Sequence, residues 1–469
     1  MPESTGAEAG AELRPGKFDD ATMRSLHPDC PDWERLGPST RDAAIRATAV
    51  AQQIAEQERT DSWAGGFNRR TFLKAGMGVG VAALGAQLVT SRVSYASAAN
   101  ASAGTLVVIF LRGGLDGLSL LVPATDPALV AARPHIAVRT ASLLEFDAAR
   151  GFGMHPAMAP LAPLIKEGKV AAVPAVATPD LTRSHFQAQD CLERGSANSA
   201  TSGWLDRVLT ASGAGTTFRS VAVGSRTPRS LMGKSRSLAL HDLDSIKLSI
   251  DPKDARVTTN ALESLYTGLD HPIAGQTKLA LSALDTVAAI RAAAPATPAV
   301  EYPKGNFADA LKSLAMLIKA NAGVRVACVD VGGWDTHSGM GDVDSGDMMR
   351  HLGDLAAALA SFTSDIGPAG LENTTIVTMS EFGRRVQENT SGGTDHGHGG
   401  AVLVIGGGVQ PGVHGTWKGL GALDQGDVPG WNDYRDVLTE VVSKRINLTH
   451  GSMKDVFPGW KASPVGVMR

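Results

Sequence analysis

Thr105-Leu-Val-Val-Ile-Phe-Leu111 runs straight into Arg112-Gly-Gly-Leu-Asp116-Gly-Leu118, and that junction decides how the rest of the chain reads. An apolar, largely β-branched run without alternation suits a strand covered on both faces, as strands of parallel sheets are. The glycines and the aspartate then place a turn and a polar side chain at the strand's carboxyl end.

The same pattern recurs. Residues 169–177 read as a second buried strand and lead to Thr182-Arg183-Ser184-His185. Residues 324–330 lead to Gly332-Gly333-Trp334-Asp335-Thr336-His337, and residues 374–379 to Ser380-Glu381-Phe382-Gly383-Arg384. Residues 401–405 form a further strand, with Gly393-Thr394-Asp395-His396-Gly397-His398-Gly399 just before it. Helical periodicity fills residues 156–166, 186–194, 279–293, 308–321, 347–362 and 434–445. Alternating strands and helices predict an α/β domain with a mostly parallel central sheet flanked by helices. Residues 195–260, rich in Ser, Gly and Thr, read as an irregular insertion or small sheet.

The front of the chain is different. Residues 1–66 are polar and rich in Ala, Glu and Gly, and read as an extension. Asn68-Arg69-Arg70-Thr71-Phe72-Leu73-Lys74 then precedes a small-residue apolar run, residues 75–89, and Ser94-Tyr95-Ala96-Ser97-Ala98. Paired arginines, a short apolar run and an A-x-A end make a secretory pattern of the twin-arginine kind over residues 67–98. The run is short for a bilayer core of ~30 Å, so a cleaved signal is preferred to a membrane anchor. The twin-arginine translocase is then an expected partner, and the periplasm, cell surface or medium the expected location. That route carries folded proteins, so residues 99–469 should form one compact domain without help from disulfides.

Composition excludes one class of partner. The net charge is −3, with no basic cluster interleaved with aromatics, so nucleic acid is not expected. The three cysteines, Cys30, Cys191 and Cys328, form no zinc-ribbon spacing. Two buried free thiols at 191 and 328 are preferred to a disulfide between them. Any metal must therefore be held by oxygen and imidazole.

In open α/β sheets, sites form beyond the carboxyl ends of the strands. Carboxylates and imidazoles gather there: Asp335 and His337 in one Gly-rich segment, Asp395, His396 and His398 in another. An extended D-x-H places both ligand-type side chains on one side. Such mixed donors suit zinc, manganese or iron, and a carboxylate-only subset would suit magnesium or calcium. Each element also has a structural reading. Asp116 could close a simple turn, Ser184 with Gln187 could cap a helix, and Arg384 could be a solvated surface charge.

Together the motifs Arg-Gly-Gly-Leu-Asp-Gly-Leu, Thr-Arg-Ser-His-Phe-Gln-Ala-Gln, Gly-Trp-Asp-Thr-His, Ser-Glu-Phe-Gly-Arg and Gly-Thr-Asp-His-Gly-His-Gly resemble a bacterial, twin-arginine-exported family, domain of unknown function 1501. The resemblance runs from about Thr105 to the last helix and implies an alkaline phosphatase/sulfatase-like fold. On that fold and ligand constellation the leading reading is a metal-dependent hydrolase or transferase of phosphate or sulfate esters, with zinc favoured among the divalent metals. Asp116, Asp335, His337, Glu381, Asp395, His396 and His398 would supply ligands. Ser184, or failing it Thr182, would be the nucleophile, with Arg183 or Arg384 bracing the anion. Phe382 stands where that superfamily has a second-site histidine, and D-x-H is shorter than its D-x-x-x-H, which weakens the second metal site and leaves open a single-metal enzyme or a site that has lost catalysis. No Cys-x-Pro-x-Arg is present, which disfavours a formylglycine sulfatase. The alternatives are a non-catalytic envelope protein that keeps the fold and a structural metal, and an iron redox enzyme on the same ligands.

Overall fold

The computed structural model describes residues 104–196, 200–224, 227–235, 237–248, 255–266, 272–293 and 300–469. The proposed extension and twin-arginine signal, residues 1–98, lie outside the described residues, as does Cys30. The chain divides into two compact units. Of the described residues, 248, 255–266 and 272–284 belong to one; the remainder form the other, which carries the sheet and every candidate site residue.

The strands in chain order are β1 Thr105–Leu111, β2 Leu121–Pro123, β3 Leu144–Asp147, β4 Phe152–Met154, β5 Val170–Ala177, β6 Ser220–Val223, β7 Leu238–Leu240, β8 Val326–Val331, β9 Thr374–Met379, β10 Gly400–Gly406, β11 Gly412–Val413 and β12 Asn432–Asp433. The main sheet runs β11-β5-β10-β9-β1-β8-β6-β7, with β12 also on β5. As its sequence predicts, β1 is buried along its whole length, and it pairs parallel with β8 on one side and β9 on the other. A full-length apolar run is the sequence signature of such a central strand.

All pairings in this sheet are parallel except those of β10, which is antiparallel to both β9 and β5. That exception matters for function. The carboxyl ends of β1, β5, β8 and β9 share one edge, and the reversed β10 brings its amino end there. The Asp395–His398 segment therefore precedes its strand yet meets segments that follow theirs.

Among the described residues of 195–260 there is no separate small sheet. They supply the buried helix Trp204–Ala211 and strands β6 and β7, which extend the main sheet in parallel beyond β8. The short turns hid strands of only three and four residues from sequence reading. The helix expected at 347–362 continues to Glu372, interrupted at Gly367, whose φ of 68° and ψ of 175° precede Pro368. A residue before proline is pushed out of the helical region, and glycine accepts the positive φ.

One core packs β1, β5, β8, β9 and β10 against Trp204–Ala211 and the helix Tyr434–Arg445. That last helix is buried from Tyr434 to Val442, charged residues included. Its Glu440 carboxylate accepts backbone N–H groups of Val465, Gly466 and Met468 at 2.7–3.0 Å, which ties down the C-terminal tail. Cys191 and Cys328 are free and buried; burial pushes the Cys191 thiol up to about 11, far from thiolate chemistry. Among the described residues no helix is long and apolar enough to cross a membrane.

Candidate metal centre at the sheet edge

Three imidazoles and one carboxylate converge beyond the strand ends. His185, first residue of the helix His185–Arg194, brings its Nε2 to 3.1 Å from His396 Nε2 and 3.5 Å from Asp335 Oδ2. His337 Nε2 lies 3.0 Å from His396 Nε2 and 3.1 Å from Asp335 Oδ1. His396 Nε2 is 3.2 Å from Asp335 Oδ1. His185, Asp335 and His396 each offer a ligand atom within 4.8 Å of the other two.

The outer nitrogens explain what the inner ones can do. His185 Nδ1 is 2.8 Å from Glu381 Oε1, His337 Nδ1 is 3.2 Å from Asp395 Oδ1, and His396 Nδ1 is 2.9 Å from the Arg183 carbonyl. Carbonyls and ionised carboxylates only accept, so each Nδ1 is the donor, and in the neutral imidazole each Nε2 then keeps its lone pair. Three lone pairs and a carboxylate crowded at about 3 Å repel one another unless a cation sits among them. Imidazole backed by carboxylate or carbonyl is how metal-ligating histidines are commonly oriented. A tetrahedral zinc with bonds of 2.0–2.1 Å needs ligand separations of about 3.3–3.4 Å. The separations among His185, Asp335 and His396, 3.1–3.5 Å, fit a small divalent ion, and His337 lies beside them, 3.0 Å from His396 and 3.1 Å from Asp335.

The centre opens to water on one side. The side chains of Asp335 and His337 are 48% and 44% exposed, while His185 and His396 are about half as exposed, at 25% and 23%. Burial alone would raise the Asp335 carboxyl, but the hydrogen bond and charge of Arg384 outweigh it and hold the group below its ordinary value. Burial lowers the His396 imidazole, as does the charge of Arg384, so its neutral, metal-binding form is favoured.

Buried scaffolding holds the donors. Glu381 is 1% exposed, and besides His185 it accepts from Gly113 N and Gln189 Nε2 at 2.9 Å and from Ser380 Oγ at 3.2 Å. Asn389 Nδ2 donates to Asp395 Oδ1 at 3.1 Å and to the His337 carbonyl at 2.9 Å. Phe382 packs its ring 4.8 Å from both His185 and His396, an apolar wall in place of a further ligand. Gly113 has a φ of 124°, and a Cβ there would meet Asp335 N at 2.5 Å; only glycine lets the β1 turn lie against that segment.

The sequence-predicted residues therefore divide. Asp335, His337 and His396 meet in one cluster, while Glu381 and Asp395 stand behind the imidazoles as their acceptors. Asp116 differs from its expected role: it is 0% exposed, and both oxygens are taken by Arg133 at 2.6 and 2.8 Å. It also caps the helix Gly117–Leu120 through Ser119 N at 3.0 Å. Arg384 also differs. It is 1% exposed, and its guanidinium is spent on Asp335 and the carbonyls of Gly113, Gly114, Trp334 and Thr394, so it braces loops rather than a substrate. His398 sits at a bend that breaks the extended run behind the i, i+2 expectation, and its charged neighbours are Asp427, Arg183, Asp180 and Asp424. Burial lowers its pKa, and its ring is not among the converging donors.

Ser184 is the N-cap of the helix His185–Arg194 but makes no side-chain capping bond. Thr182 Oγ1 donates to Asp180 Oδ1 at 2.6 Å and accepts from Ser184 N at 3.3 Å, so it shapes the turn. Arg183 pairs with Asp427. His185 is the candidate ligand absent from the sequence-predicted set. Its position directly after Ser184, at a helix start beyond a buried strand, is the signal that could have found it.

The fold and cluster define an α/β protein with a candidate His/Asp metal centre at the edge of a large, mostly parallel sheet. The chain belongs to the family described as "Protein of unknown function (DUF1501)", whose model matches residues 153–429. No curated protein matches it. Among solved structures, the sulfatase PsFucS1 from Pseudoalteromonas sp. is similar at 13% identity and a TM-score of 0.33, over 84% of this chain and 77% of that one. The alkaline phosphatase of the Antarctic bacterium TAB5 is similar at 11% identity and a TM-score of 0.26, over 66% of this chain and 95% of that one.

Proposed function

We propose that this protein is a single-metal hydrolase, or related transferase, of phosphate or sulfate esters, built on an alkaline phosphatase/sulfatase-like fold. The observation that carries the reading is the convergence of three imidazole Nε2 atoms and Asp335 on a face open to water. A structural metal is normally closed in by its ligands, whereas a catalytic one keeps an open position. His185, Asp335, His337 and His396 would hold the ion, with zinc favoured and manganese or iron the other candidates for this donor set. A divalent metal bound there would supply Lewis-acid polarisation of an ester oxygen.

The chain's own groups would do the rest. Ser184 Oγ is not consumed by capping, so it remains the nucleophile of choice, attacking the phosphorus or sulfur as the alcohol departs. The free amides of the helix start at His185 favour the anion there. Glu381 and Asp395 keep the imidazoles in the ligating tautomer. We further propose export by the twin-arginine translocase to the periplasm, cell surface or medium, with a small anionic ester or an envelope component as substrate.

One observation favours a second reading, an exported envelope protein with a metal but no turnover. Both arginines proposed to brace an anion are engaged, Arg384 in buried contacts and Arg183 with Asp427. The metal-loaded protein, assayed on p-nitrophenyl phosphate and sulfate, separates the two. The hydrolase reading predicts turnover that Ser184→Ala lowers by several orders of magnitude. Metal binding without turnover on either ester would leave the envelope reading, and undiminished activity in Ser184→Ala would exclude that serine.

A further inference from the structure

Arg183 is fixed at both ends. Its backbone takes a φ of 56°, left-handed for a residue that is not glycine. Such a conformation persists only where surrounding contacts hold it. In this geometry its carbonyl accepts the His396 Nδ1 proton at 2.9 Å. Its side chain meanwhile donates to Asp427 Oδ2, a carboxylate only 3% exposed. Asp427 sits in a turn closed by paired backbone bonds with Asp424 at 2.9 and 3.0 Å. The next carbonyl, Val428, accepts from Gly399 N at 2.7 Å, on the segment that carries His396.

We propose that Asp427 is a positioning residue, and that the Asp427–Arg183 pair is the latch that assembles the metal centre. The inference rests on the metal-centre reading but not on any hydrolytic activity. The ligands arrive on separate segments: His396 on the loop before β10, Ser184 and His185 on the loop after β5. Asp427 is tied to the first, and through Arg183 it grips the second immediately before its nucleophile and ligand. By holding Arg183 left-handed it also aims the carbonyl that fixes the His396 tautomer. Removing the latch would let the loop relax to φ below zero, withdraw the carbonyl from His396 and loosen His185.

Two readouts test this, neither of them activity. The first is zinc affinity by competition with a chromophoric chelator. The second is the His396 tautomer in metal-free protein from imidazole ¹⁵N shifts. Asp427→Asn and Arg183→Gln should each weaken zinc binding by about 10–100-fold, the usual cost of losing an outer partner. Each should also convert His396 from the Nδ1-protonated form to a mixture. Arg183→Gly should recover part of the loss, because glycine holds φ near 56° without strain; a merely structural ion pair would show no such rescue. Wild-type affinity with an unchanged tautomer in Asp427→Asn and Arg183→Gln would overturn the latch. Failure of the wild type to bind zinc would sink the metal centre instead, and the tautomer measurement would still decide the latch.

Discussion

Asp116 and Asp335 stand at the same edge of the same sheet, each beside a buried arginine, yet they do opposite work. Asp116 is shut away from water, with Arg133 matching both of its oxygens. Asp335 is half exposed; its Oδ1 takes Arg384 and also faces His337 and His396, and its Oδ2 faces His185. Motif and strand-end position are shared; counter-ion and exposure are not. A carboxylate whose charge is fully met inside a dry interior is structure, whereas one partly met and facing water has charge left for a ligand.

The largest effect that could break this contrast is on stability. Asp116→Ala leaves Arg133 buried and unpaired, and should cost about 3–5 kcal/mol in urea unfolding of the metal-free protein. A loss within about 0.5 kcal/mol, as surface changes give, would mean that the pair is not the scaffold described. Next comes Asp335→Asn, which keeps shape and an acceptor for Arg384 but removes a charged donor. Zinc affinity should then fall by more than the roughly 10–100-fold expected when an outer partner is lost. Asp395→Asn weakens only the acceptor behind His337 and should fall within that smaller range.

The smallest effect is on pH dependence. Burial works to raise the Asp116 carboxyl, but the charge and hydrogen bonds of Arg133 prevail and hold it below its ordinary value. Its contribution is therefore complete above the ordinary carboxylate range and is lost as pH falls through the lower folded value. Wild-type stability should decline through that acid window, and Asp116→Asn should decline less.

Much of the fold was legible because its strands are unambiguous. β1 is apolar from Leu106 onward, β9 is rich in β-branched residues, and both are buried throughout, which leaves little choice of element or setting. β6 and β7 were not, since strands so short in a Ser/Gly-rich stretch show too little period to read. The reversal of β10 was equally hidden, because nothing in an apolar run records its direction. At the site, the sequence showed which residue types gather but not which face each one turns. Asp116 and Glu381 resemble ligands by type and place, and only Arg133 beside one and His185 beside the other reveal their roles. Position alone does not separate His185 from an ordinary first helical residue after the cap Ser184. The i, i+2 rule that groups His398 with His396 holds only for an extended segment, and the chain bends there.

If His185, Asp335 and His396, with His337 beside them, act as one metal centre, bound metal per chain depends on them. Elemental mass spectrometry of wild type, a His185→Ala/His396→Ala variant and His398→Ala should find about one equivalent of zinc, manganese or iron in wild type and in His398→Ala, and none in the double variant. Metal retained by the double variant, or absent from reconstituted wild type, would rule the centre out.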